Sequence, residues 1–246
     1  MSSARYDFDV MAIGAHPDDV EMSAGGSVAK LVREGKRVVI VDCTQGEQGT
    51  RGTVQERMEE ACKAAEILGV ERREVLTIPD GSVGSSPEHV LRIIEVLRRY
   101  RPKMLLMPPA FERHPDHEAV HRLCREAYFK SGLSKIQTFD GEVLQDPFRP
   151  RVMFAYIQAY HQQAHFYVDV SDTHEIKMEA VRAFGSQVHT DAGVNRAEPQ
   201  TFISSPAFMQ MLESRSRYFG ALIGATHAEA FQTIEPLHLS SLSHML

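Results

Sequence analysis

The chain has 246 residues, 43% of them hydrophobic, enough for one α/β domain with a sizeable core, so residues 1–246 are read as a single domain. A formal net charge of -6 without a basic block excludes the electrostatic footprint of a nucleic-acid or anionic-membrane binder. Cys43, Cys62 and Cys124 are odd in number and lack CxxC spacing, which argues for small core or helix residues in a reducing compartment; with no apolar leader or membrane-length run, the expected location is cytoplasmic.

In chain order, residues 9–15 (DVMAIGA) form a short apolar run that predicts a strand. Residues 25–35 (GGSVAKLVREG) then place Val28, Leu31 and Val32 on one helical face and close on Gly35 as a C-terminal cap. Residues 37–44 (RVVIVDCT) are rich in β-branched side chains, as a strand covered on both faces requires. After the loop QGEQGTRG comes a predicted helix over 53–69, with Thr53 and Glu56 at capping-box spacing and a stripe of Met58, Ala61, Cys62, Ala65 and Leu68. A strand over 74–79, a helix over 86–100, a strand over 103–109 and a helix over 114–132 follow. Such a βαβα series folds most economically as a parallel sheet with helices on both faces. The second half is less regular: strands over 151–160 and 166–171, helices over 173–187 and 206–224, and between the two helices a polar loop or lid over 189–202. The tail PLHLSSLSHML has no assigned role, and His238 and His244 are read as surface residues.

Ligands of such sheets gather beyond the carboxyl ends of the strands. The ionisable residues fall there: His16, Asp18 and Asp19 after the first strand, Glu47 and Arg51 after the second, Asp80 after the third, and Arg113, His114, Asp116 and His117 after the fourth. One His or Asp after a strand is ordinarily a cap or a solvated turn residue. Two histidine-carboxylate clusters on adjacent loops are hard to explain as caps. Imidazoles with a carboxylate suit a divalent metal, zinc being the simplest choice, in a three-ligand site with an open fourth position. His16 and Asp19 are three apart on a tight turn, and the third ligand is either His114 or His117. Asp18 beside that pair is placed to take a proton from a bound water.

Other motifs compete with this reading. His117 to His121 reads HEAVH, the HExxH pattern of zinc metalloproteases, but it leaves AHPDD without a role. Gly46, Gly49 and Gly52 lack the Lys-Ser/Thr of a phosphate loop, and the first strand is not followed by GxGxxG, which argues against a nucleotide or dinucleotide site.

AHPDD after the first strand together with HPDH after the fourth resembles the LmbE/PIG-L superfamily of zinc-dependent N-deacetylases, which act on N-acetylglucosaminyl conjugates. GEQGTRGT, IPDGSV, RHPDH, YFKSGL, FGSQ and GATHAEAF are similar to one branch, the bacillithiol-biosynthesis deacetylases that act on N-acetylglucosaminyl malate; the likeness runs from Asp7 to about Phe231. It implies a Rossmann-like, mostly parallel sheet, a metal held by His16, Asp19 and His117, and Asp18 as general base. It further implies that His114 stabilises the oxyanion or protonates the leaving amine, with Arg51 and Arg113 binding substrate. Asp116 is assigned to orienting His114, with a favourable charge in the first helical turn as the alternative. Zinc is the implied cofactor, with Fe2+ or another divalent ion compatible with the same ligands. The partner is a small-molecule N-acetylglucosaminyl substrate, and the implied assembly is a homo-oligomer, with a hexamer the leading candidate.

Arg51 and Arg113 suit a carboxylate, since a guanidinium fork binds one bidentately, and Glu47 suits sugar hydroxyls. The alternative for Arg51 is pairing with Glu47 or stiffening of its loop. Three other functions stay open: deacetylation of an inositol conjugate or a chitooligosaccharide, the HExxH protease, and a non-catalytic sugar-binding module, against which Asp18 argues.

Overall fold

The computed structural model describes residues 6–190 and 198–241. The elements in chain order are β1 (Val10–Gly14), α1 (Asp19–Arg33), β2 (Val38–Asp42), α2 (Val54–Leu68), β3 (Arg72–Val75), α3 (Pro87–Tyr100), β4 (Met104–Met107) and α4 (Pro115–Ser131). There follow β5 (Phe139–Asp140), β6 (Val143–Leu144), β7 (Val152–Tyr156), β8 (Phe166–Asp169), α5 (His174–Ala183), α6 (Pro206–Ile223) and β9 (Ala228–Thr233). Seven strands form one sheet in the order β3-β2-β1-β4-β7-β9-β8, and β5 and β6 make a separate hairpin. β3, β2, β1, β4 and β7 run parallel, whereas β9 lies antiparallel between β7 and β8.

Period-2 alternation divides the core between the two faces. Met11 and Ile13 of β1 pack with α3 and α4, whereas Val10 and Ala12 pack with α1, α2 and α5. The chain steps outward from β1 to β3, and α3 then carries it back to β4 on the other side of β1. That reversal opens a crevice between β1 and β4 at their carboxyl ends. No described helix is long and apolar enough to cross a membrane.

Several elements differ from the sequence reading. Helix α1 begins at Asp19, not Gly25, so the polar cluster is the helix entry; Asp19 and Glu21 in its first turn favour the positive end of the helix. Gly35 follows its end at φ 75, as a cap requires. Strand β3 covers Arg72–Val75 and ends before Thr77, whose φ is 53. Strand β9 is a further element: AEAFQT carries little β propensity, and neighbours on both sides impose its extended form.

Buried charges lock the first helix to the sheet. Arg73 bridges Glu21 Oε1 at 2.5 Å and Asp42 Oδ2 at 2.6 Å. Further along α1, Glu229 accepts the Gly26 and Ser27 amides at 2.9 and 2.7 Å, and Lys177 Nζ lies 2.6 Å from it. Burial pushes the Lys177 ammonium below its usual range, against the pull of Glu229. Met22 O, the partner of Gly26 N in a regular helix, receives Arg215 Nη2 at 2.8 Å. Glycine is required at position 26, because a Cβ there would sit 2.9 Å from Val170 Cβ. Gly26→Ala is therefore expected to cost about 1–3 kcal/mol by overpacking. An unchanged urea midpoint would contradict this account of the contact.

Candidate active site

The crevice between β1 and β4 contains a cavity of about 420 Å³ whose lining includes His16, Asp18, Asp19, Asp80, His114 and His117. Residues from three separate strand-end loops thus meet, as the sequence pattern required. The first loop is a tight turn stapled by Asp19, whose Oδ2 accepts the Ala15 and His16 amides at 2.9 Å each. Asp19 Oδ1 accepts Gln158 Nε2 at 3.0 Å and faces His117 Nε2 at 3.1 Å. His16 Nδ1 lies 3.6 Å from Asp19 Oδ2, so two imidazoles address one buried carboxylate.

The other nitrogen of His16 fixes which one faces the cavity. His16 Nε2 is 3.0 Å from Asp80 Oδ1 and 3.5 Å from Asp116 Oδ2, both proton acceptors. Nε2 therefore carries a proton, and Nδ1 meets the Asp19 carboxylate only across a positive charge, either a second proton or a metal ion. Burial pushes the imidazolium down, but hydrogen bonds to Asp116, Asp19 and Asp80 hold it well above its usual range. Burial would raise Asp19, yet His117 and His16 hold it well below the usual carboxylate range. His117 Nδ1 is buried without a hydrogen-bond partner among the described residues. Ring nitrogens of His16, His114 and His117 lie within 4.8 Å of one another, and the buried Asp19 carboxylate faces His16 and His117 through its two oxygens; imidazoles beside a carboxylate fit a divalent cation.

Asp18 is 4% exposed at the helix entry and has φ 126, a conformation non-glycine residues rarely adopt. Burial pushes its carboxyl up to about 7, against the nearby Arg57 charge. His114 is the N-cap of α4, and its Nδ1 accepts the Asp116 amide at 3.2 Å. Burial and the charges of His16 and His117 push His114 below its usual range. A neutral His114 therefore keeps its proton on Nε2, a donor without need of a positive charge.

The structure reassigns Asp116. Its carboxylate accepts the Gly81 amide at 2.8 Å and faces His16, so only its backbone reaches His114; side chains at i and i+2 diverge on a helix. Arg113 lines the cavity, its guanidinium 4.6 Å over the Phe202 ring. Arg51 and Glu47 do not line it. Arg51 donates to the carbonyls of Ser186 and Pro199 at 3.0 and 3.2 Å, fastening the ends of the 189–202 loop, not Glu47. Glu47 Oε1 accepts the Asp80 amide at 2.8 Å. Thr201 and Phe202 from that loop line the cavity; residues 191–197 and His244 lie outside the described residues, and His238 is exposed.

Sequence reasoning assigns no role to Asp80, Arg57, Gln158 or Arg215. Asp80 is visible on the right edge, but its partnership with His16 depends on the strand order that sets β3 and β1 on either side of β2. Arg57 is hidden because the buried face of α2 runs through Arg57, Ala61, Ala64 and Leu68, one residue away from the stripe through Met58 and Cys62. Cys62 is exposed, whereas Cys43 and Cys124 are buried; all three are free.

A second cluster, His174, Glu213 and His227, joins α5, α6 and the entry to β9. Its imidazoles are stacked 3.8 Å apart and 4° from parallel, so their lone pairs run side by side instead of converging on an ion. Both rings address Glu213, at 2.6 and 3.1 Å, and tie the elements together.

The fold and site together define a doubly wound α/β protein with a buried His/Asp centre of metal-ligand character. Residues 11–128 match the family described as PIG-L, GlcNAc-PI de-N-acetylase. The chain is 31% identical to diacetylchitobiose deacetylase of Thermococcus kodakarensis, with 96% of this chain and 88% of that protein covered. It is 30% identical to 1D-myo-inositol 2-acetamido-2-deoxy-alpha-D-glucopyranoside deacetylase of Nocardiopsis dassonvillei, over 50% of this chain and 55% of that protein. The solved structure of the conserved protein TT1542 from Thermus thermophilus matches with a TM-score of 0.82 at 32% identity, covering 94% of this chain and 97% of that one. The chain belongs to the PIG-L family.

Proposed function

We propose that the protein is a metal-dependent hydrolase that removes the N-acetyl group from an N-acetylglucosaminyl conjugate, with N-acetylglucosaminyl malate the first candidate. The observation that carries this reading is the cluster of His16, His114 and His117, whose ring nitrogens lie within 4.8 Å of one another, with the buried carboxylates of Asp19 and Asp18 beside them in one cavity. Family membership supports the reaction class. The motif likeness running along the chain supports the malate conjugate, as does Arg113 at the cavity, whose fork suits a carboxylate. The homo-oligomer implied by the same likeness belongs to this reading.

Bound at His16, Asp19 and His117, a divalent ion such as zinc would act as a Lewis acid toward the acetamide carbonyl and a water. Asp18 takes a proton from the water as its oxygen attacks the carbonyl carbon. The oxyanion that develops accepts a hydrogen bond from His114 Nε2–H, available in the neutral ring because Nδ1 is engaged by the Asp116 amide. The proton held by Asp18 then passes to the departing nitrogen, the C–N bond breaks, and acetate and the free amine result. Asp80 and Asp116 hold the His16 ring by Nε2 and leave Nδ1, turned toward Asp19, as the nitrogen that would hold the ion.

The Thermococcus relative favours a second reading, in which the conjugate is a chitooligosaccharide. Acetate release from N-acetylglucosaminyl malate, the inositol conjugate, diacetylchitobiose and free N-acetylglucosamine tests both. The malate conjugate is expected to give the highest kcat/KM. A preference for diacetylchitobiose would transfer the assignment to the second reading, and acetate from none of the four would overturn the deacetylase reading.

A further inference from the structure

The loop 45–52 carries three glycines without being a phosphate loop, and the structure gives two of them another use. Gly46 has φ 67, and a Cβ built on it would lie 2.5 Å from Arg57 Nη1 and 2.7 Å from Cζ. A Cβ on Gly49 would lie 3.0 Å from Gly46 O and 3.2 Å from the same Nη1, so it would crowd both the turn and the guanidinium. The bare backbone of this loop is therefore the wall of a slot that holds one guanidinium, and Gly49 N bonded to Gly46 O at 3.0 Å closes the turn around it.

From that slot Arg57 reaches the first catalytic loop. Its Nε and Nη2 donate to Pro17 O at 3.2 and 3.0 Å, and Nη2 also donates to Asp18 Oδ2 at 2.9 Å. The two acceptors lie on either side of the peptide bond that enters Asp18, the residue with φ 126. A rigid planar fork gripping the preceding carbonyl and the side chain fixes both the backbone and the rotamer of Asp18. It occupies Oδ2 and leaves Oδ1 as the oxygen to face a water. Lysine, with one compact charge, cannot hold the carbonyl and the carboxylate in this way.

We propose that Arg57 is the positioning residue of Asp18, holding its strained backbone and aiming its carboxylate, and that Gly46 and Gly49 are glycines to admit the guanidinium. This rests on the reading of Asp18 as the base.

The test is a double-mutant cycle on the metal-loaded protein, measuring kcat, KM and metal stoichiometry. Arg57→Ala is expected to lower kcat about 10²-fold, the scale of a small misplacement of a reacting group, with KM and bound metal unchanged. In the Asp18→Asn background the same substitution is expected to change kcat by less than about threefold, because the residue it positions is already gone. Guanidinium ion added at millimolar concentration should restore part of the rate of Arg57→Ala and none of the rate of Asp18→Asn. Gly46→Ala, which obstructs the slot without touching Asp18, should repeat the kcat loss and supplies the answer if Arg57→Ala does not fold. Equal losses in the two backgrounds, or a loss confined to KM or metal content, would overturn the proposal. Wild-type protein that releases no acetate would instead overturn the deacetylase reading on which it rests.

Discussion

Asp18→Asn is expected to retain its full metal content while kcat falls about 10²- to 10⁴-fold, the range associated with loss of a general base. The substitution is isosteric and keeps an oxygen that can accept the Arg57 hydrogen bond, so the turn has no steric reason to rearrange. Asparagine is also among the residues most tolerant of positive φ, which removes backbone strain as an explanation for lost activity. The variant loses only the capacity to accept a proton from water and return it to the amine. Metal analysis beside steady-state kinetics checks this, and undiminished turnover would remove Asp18 from the mechanism.

His117→Ala is expected to lose the metal and reduce acetate release to background, whereas His121→Ala keeps the metal. This pair separates the His16/Asp19/His117 centre from the HExxH alternative, in which His117 and His121 would share one ion. The geometry argues for the first. His117 Nε2 faces Asp19 at 3.1 Å, but His121 is buried with Nδ1 2.9 Å from the Pro108 carbonyl and is absent from the cavity lining. Losing one of three ligands leaves two, too few to hold a divalent ion against water. His121→Ala instead leaves a small void behind α4 and a carbonyl without its partner, a stability cost and not a metal cost. Metal-to-protein ratios for the two folded variants decide the matter: equal loss in both would restore the protease reading.

The parallel half of the sheet is legible in sequence because most strands there are short runs of β-branched or apolar residues, each followed by an amphipathic helix. Local pattern and global topology agree. The site is legible for the same reason, since the rule that ligands gather at strand ends turns scattered His and Asp residues into one edge. What escapes depends on contacts between distant segments. Strand β9 is extended because β7 and β8 bracket it, and its own side chains are neutral on the question. Asp116 goes to His114 by proximity in sequence, while its actual partner, His16, is supplied by β1 lying beside β4. Arg51 has the chemistry of a substrate ligand because guanidinium suits carboxylate, yet it is occupied by carbonyls of a segment more than a hundred residues later. Composition gives no hint of that closure.

The clamped turn of α1 has a consequence for the order in which this protein is made. Met22 O and Gly26 N, which answer each other in a plain helix, are each engaged by a side chain from the last third of the chain, Arg215 and Glu229. These two side-chain clamps on the helix that begins at Asp19 therefore form only when β9 has left the ribosome and entered the sheet. Until then a nascent chain can carry the AHPDD sequence, even in helical form, without these braces behind its first strand-end loop. Two contacts that brace the helix written near the start of the polypeptide wait for its last third.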